Sequence, residues 1–517
     1  MSYLIMLICG ILTALPYIFD FLFFLPYFTL APLFIVALKK KSAYRHGLAF
    51  CMGYFTVVYH WFVYLYPLDF AGFDNLGSIF VIAFAILGLS FMQSIGTAFV
   101  PFIFRRAIKD RHPIFIPLAA AALWIIAEWG QNFFWFGVPW ARLAVGQHKI
   151  LPIIQSASLI GSLGVSFIIV LISGFFALCY LNRNKKPKVR AYAIVAASIF
   201  ICNFVFGAIS LSIPTKSDKT FNVAVIQGNI SSSDKWADDS VYNSINVYAA
   251  LTKKAVTENG ARLVVWPETV IISYLCNDEA SIKEISALSS SLNTHIAVGA
   301  FYTKNGNEYN SIYLFMPDGT VNETVYSKRH LVPFGEYLPM PDVINAVLPF
   351  LSDMNLFDDP LTAGNDTKLF ETELGKIGAL VCFDSIYESL ALDSVRDGAD
   401  IIVLSTNDSW YKDSPAVYQH NGHAVLRAVE NGRYVIRSAN TGISTVISNK
   451  GKIISQLSPL KDGFICANAS SYSYRTPFSV MGNVVVYLSI IFIFYLFSSQ
   501  FAQKIHKRHC DATVNAL

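Results

Sequence analysis

The segment 376-KIGALVCFDSIYESL-390 is apolar as far as Cys382 and turns polar two residues later. Such a run, rich in branched residues, reads as a buried strand. Ser385 followed by Glu388 has the spacing of a capping box, and Gly398 supplies a stop, so a helix is expected just beyond the strand. Cys382 then occupies a strand-to-helix turn. Free cysteine usually behaves as a small buried hydrophobe. At the positive end of a helix, however, a thiolate is stabilised and its pKa is expected to fall.

Working outward, "NVAVIQ" (222–227), "RLVVW" (262–266), "IAVGAFY" (296–302), "SIYLFM" (311–316) and "IIVLS" (401–405) repeat the strand pattern and alternate with helix-like segments. Val241, Ile245, Tyr248, Leu251 and Ala255 recur at three or four residues, marking a helix that Gly260 can end. "MPDG" joins "SIYLF" to "TVNETVYSKRH" as a hairpin. The fold class expected for 214–475 is mixed α/β. There is no internal repeat and no Cys/His spacing of the zinc type.

That segment is embedded in a very different context. Of 517 residues, 54% are hydrophobic and 14% charged, against about 25% charged in ordinary soluble domains. Long uncharged runs fill 1–213 and 476–500. Eight spans are expected, near 3–18, 21–38, 46–66, 74–104, 113–129, 152–181, 191–213 and 476–500. The organisation is therefore a membrane α-helical region of about seven helices (1–213), a globular region (214–475), a final span (476–500) and a tail (501–517).

The basic clusters at 39–45, 105–111, 183–190 and 504–508 fall on one side of such an arrangement, which the positive-inside rule makes cytoplasmic. The 214–475 region then lies outside the cytoplasm. No Lys or Arg precedes Lys39, so the first apolar run is expected to be retained. A net charge of +4, with the basic residues in these clusters, argues against a nucleic-acid surface. Cys276, Cys382 and Cys466 are the cysteines of 214–475, so one at least must be a lone thiol.

Two further strand ends present charge. "RLVVWPET" delivers Glu268, and "VYSKRHLVPFGEYLP" delivers Lys328 and then Glu336. Singly, each reads as a solvated loop residue. As a set with Cys382, the chain order Glu, Lys, Cys resembles the nitrilase (carbon-nitrogen hydrolase) superfamily. With "FGVPWARLAVGQ", "VIQGNI" followed by Trp236, "HLVPFGE", "STNDSW", "YQH" and "SANTGIS", nearly the whole chain resembles the bacterial apolipoprotein N-acyltransferase family.

The resemblance implies a polytopic helical bundle carrying a nitrilase-like αββα sandwich. It makes Glu268 the general base, Lys328 the electrostatic partner and Cys382 the nucleophile. Glu336 would be an additional carboxylate holding Lys328 or the incoming amine. The implied reaction moves an acyl chain from a membrane phospholipid, phosphatidylethanolamine, through a Cys382 thioester to the N-terminal amine of a diacylated apolipoprotein. No metal or organic cofactor is implied. The implied location is a bacterial inner membrane, with the catalytic region on the periplasmic side.

Trp236, Trp410, Tyr337 and Tyr411 are candidates for an amphipathic entrance, and Asn407 for shaping the site. Arg142 in "PWARLA" is a candidate for a head-group contact. Glu128 reads as an interfacial carboxylate. The run Cys382-Phe383-Asp384 departs from the family's common Cys-Tyr-Glu, so Asp384 is a methylene shorter than the residue usual there. Two alternatives use the same residues differently. One is a membrane-tethered amidase; the other is a catalytically dead relative that binds or transports lipid.

Overall fold

The structure, a computed structural model, describes residues 1–68, 72–133, 137–231, 235, 240–342, 346 and 360–514, with side chains described as far as Gln503. Two β-sheets form the centre of the C-terminal half. The first contains β1 (Lys219–Gln227), β2 (Leu263–Val265), β3 (Ile271–Tyr274), β4 (His295–Lys304), β5 (Asn307–Phe315), β6 (Tyr326–Ser327) and, arriving late in the chain, β13 (Gly463–Ser471). Its order is β13-β1-β2-β4-β5-β6, with β3 alongside β4. The second contains β7 (Leu369–Thr372), β8 (Gly375–Val381), β9 (Ile401–Thr406), β10 (Val435–Ala439), β11 (Ser444–Ile447) and β12 (Ile453–Leu457), in the order β12-β11-β10-β9-β8-β7.

Strand alternation explains how the sheets stack. On β1, Phe221, Val223 and Val225 face a core shared with Ile377, Ala379 and Val381 of β8, and with Ile401 and Val403 of β9. The intervening Ala224 and Ile226 face Ile245 and Tyr248 of the helix Ser240–Asn259, and Ile285 and Leu288 of the helix Glu279–Leu292. Gly260, at φ +63°, ends the first of these helices as its position suggests. The outer face of the second sheet, Leu380, Ile402, Leu404 and Val435, packs with Leu390 of the helix Glu388–Arg396 and Val425 of the helix Pro415–Asn431. The layers are therefore helix, sheet, sheet, helix.

That last helical layer does not end at solvent. Its apolar cluster continues without interruption into Trp124, Ile154, Val165 and Ile169 of the N-terminal helices. Among the described residues, four helices are long and apolar enough to cross a membrane, Asn75–Ala107, Ala157–Leu181, Lys186–Ser212 and Val484–Gln503. Three shorter apolar ones are Ser2–Tyr17, Pro26–Lys39 and Phe115–Gly130. In the helix Lys186–Ser212, Ile194, Ile201, Val205 and Ile209 are exposed, an apolar surface that suits lipid rather than water.

The strands read at 222–227, 262–266, 296–302, 311–316 and 401–405, and the run ending at Cys382, all overlap observed strands. The helix expected immediately after Cys382 is displaced. A five-residue 3₁₀ turn, Cys382–Ile386, intervenes, and the α-helix begins only at Glu388. Ser385 and Glu388 form no capping box, because Ser385 Oγ donates to the Cys382 carbonyl (2.8 Å) and Glu388 pairs with Arg142.

Candidate active site

β8 delivers Cys382 to the end of its sheet, where the backbone reverses at φ +47°. Non-glycine residues rarely adopt this conformation, and it is held here by what surrounds it. The neighbouring strand β9 runs parallel to β8, pairing Val381 with Ser405, and the chain leaves it at Asn407. In the facing sheet β2 ends two residues before Pro267, so that Glu268 projects at the same level. Ser405 Oγ donates to the Trp266 carbonyl across the two sheets (2.9 Å), fixing their registry at this point.

Glu268, Lys328 and Glu336 meet inside the protein, each no more than 7% exposed. Lys328 Nζ donates to Glu336 Oε1 at 2.8 Å and to Glu268 Oε1 at 3.2 Å. Asn310, on β5, donates its side-chain N–H to the same two oxygens, at 2.7 Å to Glu268 and 3.1 Å to Glu336. The backbone N–H of Asn407 donates to Glu268 Oε2 (2.7 Å), and that of Val332 to Glu336 Oε2 (2.8 Å). Both carboxylates are thus held in place by fixed donors, as buried charges require.

Burial acts against the charge of Lys328, yet Glu268 and Glu336 outweigh it and hold the ammonium protonated well above the ordinary lysine range. The thiol behaves oppositely to the expectation for a helix terminus. Burial, reinforced by Glu268, pushes the Cys382 pKa up, and Lys328 offsets only part of this. The α-helix starts six residues beyond Cys382, and burial, with Glu268 acting in the same direction, dominates the thiol. At rest Cys382 is a thiol.

Asp384 joins the Cys382 turn to the Lys328 loop. Its Oδ1 accepts the N–H groups of His330 (2.9 Å) and Arg329 (3.2 Å), and its Oδ2 accepts Tyr326 O–H (2.9 Å) and Val381 N–H (3.1 Å). Behind the turn, Arg437 Nη2 donates to Asp408 Oδ2 (2.6 Å), and Asp408 Oδ1 lies 2.9 Å from His420 Nδ1. His420 Nε2 lies 2.9 Å from Ser385 Oγ and 3.1 Å from the Cys382 carbonyl oxygen. Although burial raises the Asp408 pKa, Arg437 and His420 bring it down to about 2, so its charge is permanent. Cys382, Asp408 and His420 have ligand atoms within 4.8 Å of one another, but Arg437 already supplies the cation that Asp408 faces.

The other residues singled out in the sequence divide. Tyr411 packs against Trp61 (ring centroids 4.9 Å apart) and Trp140 (6.0 Å), in a short turn, Ser409–Tyr411, that also contains the half-buried Trp410. Tyr337 is half-buried in the loop that carries Glu336. Trp236 lies outside the described residues. Arg142 is 1% exposed and engaged elsewhere: its Nη1 pairs with Glu388 Oε2 at 2.6 Å, and its Nη2 donates to Asn132 Oδ1 at 2.6 Å. It joins the helical region to the sandwich and offers no free cation to a head group. Cys276, Cys382 and Cys466 are free thiols.

Three members of the site escape sequence reasoning. Asn310 left one signal, an amide in a strand where such residues are disfavoured. Asp408 in "NDSW" reads as a turn residue and only its Arg437 partner reveals otherwise. Lys235 sits beside Trp236, within a motif that directs attention to the tryptophan.

The chain is similar over most of its length to characterised sequence families. A model described as "Carbon-nitrogen hydrolase" matches residues 222–476, and one described as "Apolipoprotein N-acyltransferase N-terminal domain" matches 9–175. A protein of Geobacter metallireducens named "Apolipoprotein N-acyltransferase" is 30% identical over 87% of this chain and 86% of its own. One of the same name from Photobacterium profundum is 26% identical over 89% and 88%. Among solved structures, Saccharomyces cerevisiae Nit3, a nitrilase-superfamily member, covers 50% of this chain and 93% of its own at 20% identity and a TM-score of 0.39.

Proposed function

The chain belongs to the apolipoprotein N-acyltransferase family, and on that premise we propose that Cys382 carries the acyl group, with Glu268 as its base and Lys328 as the stabiliser of the oxyanion. The protein is a membrane-associated acyltransferase that works through a cysteine, on lipid and lipoprotein substrates. The reading of its residues rests on one observation above the rest. The Cys382 thiol lies at a backbone reversal, within electrostatic reach of a buried Glu268 that is itself paired with the ammonium of Lys328.

In the first half-reaction Glu268 takes the Sγ proton as sulfur attacks an ester carbonyl of a phospholipid. This suits a thiol with a raised pKa, because the proton leaves only as the bond forms. Negative charge develops on the carbonyl oxygen, and Lys328, fixed between Glu268 and Glu336, is a pre-oriented cation for it. Glu268 returns the proton to the departing lysophospholipid alkoxide. In the second half the acceptor amine attacks the thioester carbon, Glu268 takes a proton from nitrogen, and sulfur receives it as the C–S bond breaks. Glu336 keeps Lys328 charged and oriented throughout.

The donor we assign is phosphatidylethanolamine, and the acceptor the free amine of a diacylglyceryl-cysteine. The location is the inner membrane, with the sandwich on the periplasmic side, supported by the segregation of the basic clusters. Phe383, next to the thiol, belongs to the apolar cluster that runs into the N-terminal helices, an arrangement that suits two substrates confined to a bilayer, since a thioester formed there is kept from water. The test is intact-mass analysis of purified full-length protein after incubation with phosphatidylethanolamine. One added acyl chain is expected in the wild type, none in Cys382→Ala, and transfer to a diacylated lipopeptide when that is added. An adduct that persists in Cys382→Ala would overturn the assignment.

A further inference from the structure

The site contains a second buried lysine that the mechanism above leaves unused. Lys235 is 6% exposed, and its Nζ donates to Thr269 Oγ1 at 2.5 Å and to the Glu268 carbonyl at 3.4 Å. Both acceptors are neutral. Among the described residues it has no ion-pair partner, whereas Lys328 has two. Thr269, at φ +47°, forms part of the same turn that projects Glu268, so the acceptors of Lys235 and the proposed base are set by one backbone feature.

The reaction has an unmet requirement that fits this group. An N-terminal amine with a pKa of about 8 is largely protonated at neutral pH, and an ammonium has no lone pair with which to attack. Two protons must therefore leave the acceptor nitrogen, and Glu268 with the sulfur accounts for only one. We propose that Lys235 is a further catalytic residue of the second half-reaction, its amine, when unprotonated, accepting the proton that the acceptor's α-ammonium loses before nitrogen attacks the thioester. The inference rests on the acyl-transfer reading above.

The charge pattern favours it. In the molecules whose Lys235 is unprotonated, the carboxylates of Glu268 and Glu336 face, among the described residues, only the ammonium of Lys328, and the site attracts an incoming cation. Burial lowers the Lys235 pKa to about 8, with Glu268 and Cys382 opposing the shift. A donor and acceptor so matched exchange a proton at little cost in either direction. The step balances: acceptor R–NH₃⁺ and Lys235–NH₂ become R–NH₂ and Lys235–NH₃⁺. The freed amine forms the amide C–N bond as C–S breaks, and its second proton passes through Glu268 to Cys382. Lys235 returns its proton to solvent after the product leaves. Arginine could not replace it, since a guanidinium does not give up its proton.

Acyl-enzyme of the full-length wild type, Lys235→Met and Lys235→Arg is formed with phosphatidylethanolamine in detergent micelles, then mixed at pH 7 with either a diacylated lipopeptide or hydroxylamine. Loss of the acyl adduct is followed by mass. Hydroxylamine is already uncharged at this pH and needs no proton acceptor. Counting only acylated molecules confines the measurement to folded protein. In both variants the ratio of the lipopeptide rate to the hydroxylamine rate is expected to fall about tenfold or more, and the lipopeptide deficit to shrink as pH is raised to 9. An unchanged ratio, or equal slowing with both amines, overturns the role of Lys235 and leaves the acyl-enzyme reading intact. Failure of the wild type to form an acyl-enzyme overturns both.

Discussion

The Asp384 carboxylate accepts the backbone N–H of His330 at 2.9 Å, which ties the turn bearing Cys382 to the loop that follows Lys328. The same carboxylate accepts three other donors, so Cys382 and Lys328 hold their relative positions through one side chain. Asp384→Asn exchanges an acceptor oxygen for a donor and leaves at least one of these N–H or O–H groups unmatched. The expected cost is about 1–3 kcal/mol, read as a lower melting temperature in detergent, with slower acyl-enzyme formation. Burial raises the Asp384 pKa to about 6, above its unfolded value of about 3.9. Its stabilising contribution is therefore complete below about pH 4 and is lost as pH rises through 6. In Asp384→Asn that pH dependence should vanish; its persistence would show that another group is responsible.

A thiol raised by burial and by Glu268 reacts as the thiolate only in the small fraction ionised at neutral pH. Alkylation of Cys382 by iodoacetamide, followed on its own peptide by mass spectrometry, should climb about tenfold per pH unit between 7 and 9. A plateau starting below pH 7 would mean a preformed thiolate, and the proton transfer assigned to Glu268 would then be unnecessary.

Arg142 and Glu388 make an ion pair with both side chains 1% exposed. Burial would raise the Glu388 pKa, but Arg142 and Arg427 hold it at about 2, so removing the arginine strands a full charge. Arg142→Met is expected to destabilise the protein by about 3–5 kcal/mol, measured by thermal unfolding in detergent. Adding Glu388→Gln should recover part of the loss. A variant that melts like the wild type but shows a raised KM for phospholipid would instead return Arg142 to a lipid-contact role.

How much of this could be read from the chain depends on whether a feature is local. The strand ends that present Glu268, Lys328 and Cys382 are visible because a β-run stops abruptly at a reactive residue. The second sheet's later strands, Val435–Ala439 and Ser444–Ile447, lie in "YVIRSANTGISTVIS", where Arg437 interrupts the apolar pattern. That arginine is buried because Asp408, 29 positions earlier, is there to pair with it. Asn310 likewise becomes intelligible only when Glu268 and Glu336 are brought to it. The Cys382 environment differs from the sequence expectation for the same reason. A capping pattern is local, whereas the burial and the opposing carboxylate that dominate the thiol come from the other sheet.

The unbroken apolar cluster running from the second sheet's outer helices into the N-terminal bundle has a practical corollary. A truncation that kept only the sandwich would not yield a soluble miniature of this enzyme. It would bare the greasy side of the helix Pro415–Asn431, the same helix whose His420 reaches the Cys382 carbonyl. Reagents that loosen the bilayer-facing half should therefore dull the chemistry without touching a reacting atom. The catalytic layers and their anchor share one continuous apolar core.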